Sequence, residues 1–403
     1  MLRVLLLLPT STYRAPDFIR AATRLGVEVV VGSDELPVLM EAAKDRGSER
    51  AVALPLDDPG AAADLIVALD DRRGVDAVVA VDDRGVLAAA TAGERLGFPH
   101  NPPDAVAATR DKAAMRRALA AAEVPQPAFV VSEDGLPDPA DFPFPWVLKP
   151  VDRSGSQGVI RADDLDAAHA AAARVRALCD GPLLVEQYVP GIEVAVEGLL
   201  RDGELTVLAV FDKPDALEGP YFEETIYVTP SRLPDETLGR VGVVAARACA
   251  ALGLAEGPVH AELRIDEVGD GDHVHVIEVA ARSIGGLCAR TLRFGAGIAL
   301  EELVLRHALG MPLDDVARET GASGVMMLPI PAAGTLREVR GRDAARAVPG
   351  VTGLEITIPP GRAVVPLPEG DRYLGFVFAR GDTPAAVETA LRTAHATLEI
   401  DLA

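Results

Sequence analysis

Lysine is nearly missing from this chain. Of 39 Lys plus Arg residues only four are lysines: Lys44, Lys112, Lys149 and Lys213. A composition rich in Ala, Arg, Gly and Pro drops lysine wherever arginine serves as well. The lysines that remain are candidates for positions that need a compact ammonium. Basic clusters are missing too. The 61 Asp plus Glu residues set a net charge of −22 and a pI near 4.7. Nucleic acid and anionic membranes are therefore not expected partners, because phosphate backbones and lipid headgroups need clustered Lys/Arg. Cysteine is scarce: Cys179, Cys249 and Cys288 show no metal-ligand spacing and cannot all pair with one another. A reducing cytoplasm fits that usage. The early apolar run from Leu5 to Pro9 is too short for a membrane span and no small-residue cleavage site follows, so no secretory leader is expected. Two nucleotide fingerprints are absent. The turn PTSTYRAP after the first strand lacks G-x-G-x-x-G, and G-x-x-x-x-G-K-[ST] occurs nowhere. A dinucleotide-binding dehydrogenase and a P-loop enzyme are both disfavoured.

What is present is a globular chain of 403 residues, 49% hydrophobic, without repeats or a disordered linker. That length predicts two to four domains. Residues 1–100 alternate strand and helix: LRVLLLL, APDFIRAATRLG, VEVVVGS, PVLMEAAKDRG, ERAVALPL, a helix near Ala61–Asp71, VDAVVAVDD and VLAAATAGERLG. This series predicts a small parallel sheet covered by helices. From about 109 to 310 the pattern becomes α+β with antiparallel strands. It opens with one helix over TRDKAAMRRALAAAEVP, followed by WVLKPVDRSGSQGV, LLVEQYVPGIEVAVEGLL, ELTVLAVFDKP, the helix ETLGRVGVVAARACAALG, HAELRI and VIEVAAR. Residues 311–403 read as a smaller α+β unit holding GVMMLPIP, DRYLGFVFARG and the helix AAVETALRTAHATL.

Three stretches could carry chemistry. In WVLKPVDRSGSQGV a strand bearing Lys149 runs into Ser154, Gly155, Ser156, Gln157 and Gly158. Glycines let backbone N–H groups converge on an anion, and the lysine adds a point charge for phosphate. The loop alone is also compatible with an ordinary hairpin tip. In LLVEQYVPGIEV, Glu186, the apolar step Tyr188-Val189, a Pro-Gly turn and Glu193 follow in order. An adenine needs an apolar slot and a carboxylate for its amino group, and a second carboxylate can hold ribose hydroxyls. A surface turn with solvated glutamates has the same letters.

The third stretch is the pair HAELRI and VIEVAAR. Strand alternation puts Val276, Glu278, Ala280 and Arg282 on one face, with Ile277, Val279 and Ala281 on a plain core face. A turn centred on Gly269-Asp270-Gly271 sets Glu262 opposite Glu278, with His260 and Arg264 on the same face. Like charges directly opposite each other destabilise a hairpin. A divalent cation is the simple compensation, and an all-oxygen donor set suits Mg²⁺ better than Zn²⁺. A protonated or Arg-neutralised pair, with His260 a satisfied core histidine, is the plainer alternative. A Gly/Ser loop, a lysine, two hinge glutamates and a paired-carboxylate hairpin, in that order, make a site for Mg·ATP.

In that combination the sequence resembles the ATP-grasp superfamily, and within it the carboxylate–amine ligases of the L-amino-acid (dipeptide-forming) group. The resemblance implies a multidomain α/β and α+β protein. A Rossmann-like pre-ATP-grasp domain would span 1–108, and an ATP-grasp domain 109–310, with a small lobe over about 109–188 and a large lobe over about 189–310. A small C-terminal α+β domain would span 311–403. It implies ATP and Mg²⁺, or Mn²⁺, as cofactors. Lys112 and Lys149 would contact ATP phosphates under the loop Ser154–Gly158. Glu186, Gln187 and Val189 would form the adenine hinge, and Glu193 would hold the ribose. Glu262 and Glu278 would hold the metal, with Arg282 facing the acyl phosphate or a substrate carboxylate. Lys149, His260 and Arg282 are the catalytic candidates. FDKPDALEGPYFEETIYVTPS resembles the substrate-side segment, where Glu224 would meet an amino group and Tyr227 and Lys213 would line the pocket.

One departure is Ala280, where many ATP-grasp enzymes carry a metal-binding Asn. Water, substrate or another group would then complete the metal shell. Gly285-Gly286 suggests a pocket not narrowed by a bulky side chain. The implied reaction joins an amino-acid carboxylate to an amine through an acyl phosphate, releasing ADP and phosphate. A bicarbonate-activating carboxylase and a non-catalytic nucleotide-binding module are the alternatives. The Glu262/Glu278 pair with Arg282 argues against the last. Small-molecule acids and amines are the expected partners and a homodimer is compatible. Substrate identity and α or γ linkage stay open.

Overall fold

The computed structural model of the protein describes residues 1–9, 12–34, 50–266, 273–313 and 315–403. The helix expected over PVLMEAAKDRG, with Lys44, and the Gly269-Asp270-Gly271 turn lie outside the described residues.

The first unit is the expected parallel sheet. Strands β1 (Arg3–Leu7), β2 (Glu28–Ser33), β3 (Ala51–Ala53) and β4 (Ala77–Ala80) lie in the order β3-β2-β1-β4. Their near-continuous apolar runs suit strands covered on both faces. Helices α1 (Ala15–Leu25), α2 (Pro59–Arg73) and α3 (Asp83–Leu96) alternate with them. Gly26 closes α1 in the left-handed region at φ 65°, where a side chain would be strained. The side chain of Asp82 caps α3, which sets Asp83 in its first turn.

The single helix expected over TRDKAAMRRALAAAEVP is broken. Helix α4 (Pro103–Arg110) ends at Asp111, and α5 (Lys112–Ala121) starts there. The Asp111 carboxylate accepts from the backbone N–H groups of Ala113 and Ala114 at 2.8 and 3.0 Å. An aspartate inside an apolar-periodic run thus acts as an N-cap and restarts the helix. The break sets Lys112 in the first turn of α5.

Beyond it stands a four-stranded antiparallel sheet in the order β5-β8-β6-β7, from β5 (Phe129–Ser132), β6 (Trp146–Pro150), β7 (Ile160–Ala162) and β8 (Leu183–Gln187), with α6 (Leu165–Arg176) on one face. Trp146, Leu148, Ile160, Ala168, Leu183 and Val185 form a core of its own.

The larger antiparallel sheet takes β9 (Ile192–Arg201), β10 (Glu204–Lys213), β11 (Ile226–Thr229), β12 (Gly257–Asp266) and β13 (His273–Ala280), flanked by α7 (Asp235–Leu252) and α8 (Leu300–Ala308). The last segment adds β14 (Ala322–Leu328), β15 (Gly334–Arg340), α9 (Arg342–Arg346), β16 (Val351–Ile356), β17 (Ala363–Val364), β18 (Gly375–Gly381), α10 (Pro384–Ala396) and β19 (Glu399–Leu402). The eight strands run β13-β12-β9-β10-β11-β14-β18-β16, so the C-terminal strands continue the sheet of the preceding region. One apolar cluster joins Leu6 and Phe18 of the first unit to Phe211, Tyr227, Met327 and Phe376 of this sheet. Among the described residues no helix is long and apolar enough to cross a membrane.

Candidate active site

A cleft lies between the two antiparallel sheets. Its small-sheet wall is built by strand register. On the β6–β8 ladder Val147 faces Glu186 and Lys149 faces Leu184, so Lys149 and Glu186 are diagonal neighbours on one face. The Lys149 ammonium donates to Glu186 at 2.7 Å. Arg116, one turn along α5 from Lys112, reaches the other oxygen at 2.5 Å. All three side chains are at least nine-tenths buried. Burial alone would raise the Glu186 carboxyl, but Arg116 and Lys149 outweigh it and hold it at about 2. Arg116 also donates to the carbonyls of Val276 and Ile277, tying this wall to β13.

The opposite wall is built by the β10–β9–β12 ladder. Lys213 faces Glu193, and Glu193 faces Arg264. Two residues along, Glu262 faces Ala195, and two further His260 faces Glu197. Lys213 donates to Glu193 at 2.7 Å, lies 3.4 Å from Glu262, and also pairs with Glu224. Tyr227 donates to the second Glu224 oxygen at 2.7 Å. Burial opposes charge on Lys213, yet its three carboxylates hold the ammonium well above its ordinary range. Burial and the nearby Glu262 charge push Glu224 up to about 7 despite Lys213. Glu262 stays ionised in spite of burial because Lys213 and His260 flank it.

The hairpin register is the expected one at its centre: Glu262 lies opposite Glu278. A β-bulge then interrupts it, since Leu263 pairs with Val276 and leaves Ile277 over. The alternation expected along β13 is corrected there. Val276 turns into the core, and Ile277 lines the cleft. Glu278 accepts from Lys112 at 3.1 Å. A cation in the first turn of a helix opposes the helix dipole, so it is Glu278 and the Arg153 carbonyl that hold Lys112 there.

Most of the nucleotide candidates meet in this cleft. Lys112, Lys149, Gly155, Ser156, Glu186 and Gln187 line it, as do Val189, Glu193, Glu224, Glu262 and Glu278. An apolar slot at its end is formed by Val147, Leu217 and Phe222, with Val159 and Tyr188 beside them. Glu186, expected at the adenine, spends both oxygens on Arg116 and Lys149. Ser154, Gln157 and Gly158 are not among the lining residues. Instead the Gly158 N–H donates to the Pro368 carbonyl and the Gln157 side chain to the Glu369 carbonyl, both at 2.8 Å.

Other candidates sit behind the wall or beside it. His260 is buried beneath Glu262, with Nδ1 3.2 Å from Glu197 and Nε2 3.6 Å from Glu262. Burial works against its charge, but the two carboxylates outweigh that and push it up to about 9. The expected position of Arg282 on the strand of Glu278 is corrected. That strand ends at Ala280, and the Arg282 guanidinium meets Asp83 of α3 at 2.9 Å. The open space expected at Gly286 is filled: a Cβ there would lie 2.9 Å from the Phe376 ring.

Sequence reasoning did not single out Arg116, Glu197, Asp83, Leu217 or Phe222 as site residues. Arg116 left a signal, an arginine on the same helical stripe as Lys112 and Leu119. Leu217 and Phe222 lie in the segment that the resemblance assigns to the substrate side, whereas Glu197 and Asp83 are brought in by long-range pairing.

The residues present fit a hard divalent cation. Glu193, Glu224 and Glu262 place ligand oxygens within 4.8 Å of one another, and all the donors are carboxylate oxygens. Glu278, the expected second ligand, approaches from across the ladder with one oxygen on Lys112.

Comparison with known proteins gives a consistent picture. Residues 142–291 match the ATP-grasp domain, residues 19–100 the ATP-grasp N-terminal domain, and residues 326–403 the L-amino acid ligase C-terminal domain 2. An alanine–anticapsin ligase of Bacillus subtilis is 25% identical over 55% of this chain and 51% of its own length. A D-alanine–D-alanine ligase of Gloeobacter violaceus is 31% identical over 52% of this chain and 72% of its own. The crystal structure of an L-amino acid ligase from Bacillus licheniformis superposes with a TM-score of 0.80 at 26% identity, covering 100% of this chain and 99% of that one. Against several curated relatives the chain spans only between 51% and 64% of their length.

Proposed function

The chain belongs to the ATP-grasp family, and from that premise we propose that it is an ATP-dependent carboxylate–amine ligase. It would join the carboxylate of one amino acid to the amine of another. One observation carries the reading: a single cleft has a wall with surplus positive charge, Arg116 and Lys149 on Glu186, facing a wall with surplus negative charge, three glutamates on Lys213.

The parts follow from chemistry. The slot of Val147, Leu217 and Phe222 takes the adenine ring. Lys149, held rigid by Glu186, and Lys112 at the start of α5 meet the phosphates, with Gly155 and Ser156 folding over them. Glu262, with Glu278 or its neighbours Glu193 and Glu224, would hold Mg²⁺, which supplies charge neutralisation of the polyphosphate. Glu224 and Tyr227 face the substrate side, where Glu224 receives an ammonium.

The reaction has two steps. A substrate carboxylate oxygen attacks the γ-phosphorus of ATP, and ADP leaves. The amine nitrogen then attacks the acyl carbon and expels phosphate, forming the amide. The chain's part is to position and neutralise the reactants and exclude water from the acyl phosphate.

The test is phosphate release from Mg·ATP across a panel of amino acids, singly and in pairs, with mass spectrometry of the products. Release that requires amino acids, with a product mass equal to the pair minus water, is expected. ADP formation that depends on bicarbonate alone, or ATP binding without turnover under any pairing, overturns the reading.

A further inference from the structure

The C-terminal segment reaches the substrate side of this cleft. The Met327 N–H of β14 donates to the Thr225 carbonyl at 2.7 Å, and Met327 pairs with Phe376 of β18. The Leu374 N–H donates to the Leu328 carbonyl at 3.0 Å. Tyr373, just before β18, and Glu224, just before β11, therefore stand on either side of the same end of β14.

An aromatic cluster surrounds that end. The Tyr373 ring meets Phe376 edge-on at 6.3 Å, and Tyr13 of the first unit meets Phe376 edge-on at 5.7 Å. Phe376 in turn fills the space above Gly286. These contacts fix the Tyr373 ring. Its hydroxyl is buried and has no hydrogen-bond partner among the described residues. Burial, then the Glu224 charge, hold the phenol protonated, so it is a donor at neutral pH.

A buried hydroxyl with no partner is costly, and native proteins rarely keep one without cause. A ligand that supplies an acceptor removes the cost. Glu224, which already holds Lys213 and Tyr227, is the carboxylate that the ligase reading assigns to the substrate ammonium. An α-amino acid carries its carboxylate one carbon away from that nitrogen, and a carboxylate accepts hydrogen bonds only. Resting on the ligase reading above, we infer that Tyr373 is a specificity-determining residue whose hydroxyl donates to the carboxylate of the amino acid whose amine lies at Glu224. The C-terminal segment then helps to build the substrate pocket, and Phe376 sets the depth of that pocket above Gly286.

Tyr373→Phe removes only the hydroxyl. The full chain and the variant are compared by phosphate release from Mg·ATP with each of the twenty L-amino acids and with L-alaninamide and L-leucinamide. The KM for the amine-side amino acid is expected to rise about tenfold or more, as for a lost hydrogen bond to a charged group. The ATP KM should not move. Wild type should discriminate against the two amides, and the variant should discriminate less. The melting temperature without ligands should stay level or rise, because an unpaired buried hydroxyl has gone; a purely structural tyrosine would lower it. Unchanged amino-acid KM values and unchanged amide discrimination overturn the inference. A wild-type enzyme that turns over no amino acid overturns the ligase reading instead, so the two failures are distinct.

Discussion

The two walls of the cleft solve opposite electrostatic problems with the same parts. On the small-sheet wall two cations, Arg116 and Lys149, share one carboxylate, Glu186. On the large-sheet wall three carboxylates, Glu193, Glu224 and Glu262, share one ammonium, Lys213. Each cluster keeps its buried charges partnered, which a low-dielectric interior demands. Each also leaves a surplus, positive on one side and negative on the other. The surplus is what a ligand reads: phosphates are drawn to the first wall, a metal ion and an ammonium to the second. The walls differ mechanically as well. The small sheet has its own apolar core, whereas the large sheet shares one with the N-terminal unit. The small sheet meets the large lobe through the smaller cluster of Val147, Leu217 and Phe222, so it is the body that can shift with the lesser loss of apolar contact.

The largest effect should come from removing the one ammonium that serves three carboxylates. Lys213→Met leaves Glu193, Glu224 and Glu262 together with only the more distant Arg264 and His260, each 3.6 Å from its carboxylate, as cations. Breaking a buried pair from one side costs about 3–5 kcal/mol, read by urea denaturation at pH 8. Mn²⁺ should then raise the melting temperature of the variant more than that of wild type, because the ion stands in for the lost charge. A variant as stable as wild type would mean that the carboxylates are already neutral and the wall carries no surplus.

One carboxylate on each wall, Glu186 and Glu224, should respond to pH with opposite signs. Glu186 titrates at about 2 in the folded protein against an ordinary 4.5. Its contribution is present above pH 4.5 and is lost as pH falls toward 2. Glu224 is raised from 4.5 to about 7. The native state there binds its proton more tightly than the unfolded chain, so stability falls as pH rises from 4.5 to 7. Each shift corresponds to a swing on the order of 3 kcal/mol. Urea denaturation across pH should show Glu224→Gln flattening the decline between 4.5 and 7. Glu186→Gln should abolish the acid-side loss while lowering stability at neutral pH, where Arg116 and Lys149 are left unpaired. If both variants keep the wild-type slopes, the contrast between the walls does not control stability.

How much of this was legible in the sequence follows the range of the interactions. The parallel N-terminal sheet was readable because each of its strands is a short apolar run bounded by turns. The Glu262–Glu278 pairing matches a turn centred on Asp270, but the strands between run one residue out of that register, Leu263 with Val276, and the bulge restores it. The bulge at Ile277 was not readable, since no residue in VIEVAAR marks it and the ladder accommodates it only in three dimensions. Asp111 looked like one more polar residue in a helix, although an aspartate before an Ala-rich run is also a cap signal. The charge clusters were half visible: three of the four lysines fall in them or beside them, as their scarcity suggested. The pairings of Arg116 with Glu186 and of Asp83 with Arg282 span 70 residues or more, so no local pattern announces them.

The smallest effect tests whether the walls are joined at the rim. Arg174 on α6 of the small lobe pairs with Glu369 at 2.6 Å, in the C-terminal turn whose Pro368 and Glu369 carbonyls hold Gly158 and Gln157. Both side chains are about two-fifths exposed, so water screens the pair and its direct worth is at most about 1 kcal/mol. Arg174→Ala should therefore melt within a few degrees of wild type. What it should change is closure of the loop over ATP, because one of three ties between small lobe and C-terminal turn has gone. The ATP KM is expected to shift by no more than about fivefold at low salt. The difference should vanish in 0.5 M NaCl, where surface charges are screened within a few ångströms. A loss of stability comparable to Lys213→Met would place this pair among the buried clusters and remove the distinction between a fixed wall and a mobile one. A shift that survives high salt would instead assign the tie to the two backbone-directed hydrogen bonds at Gln157 and Gly158.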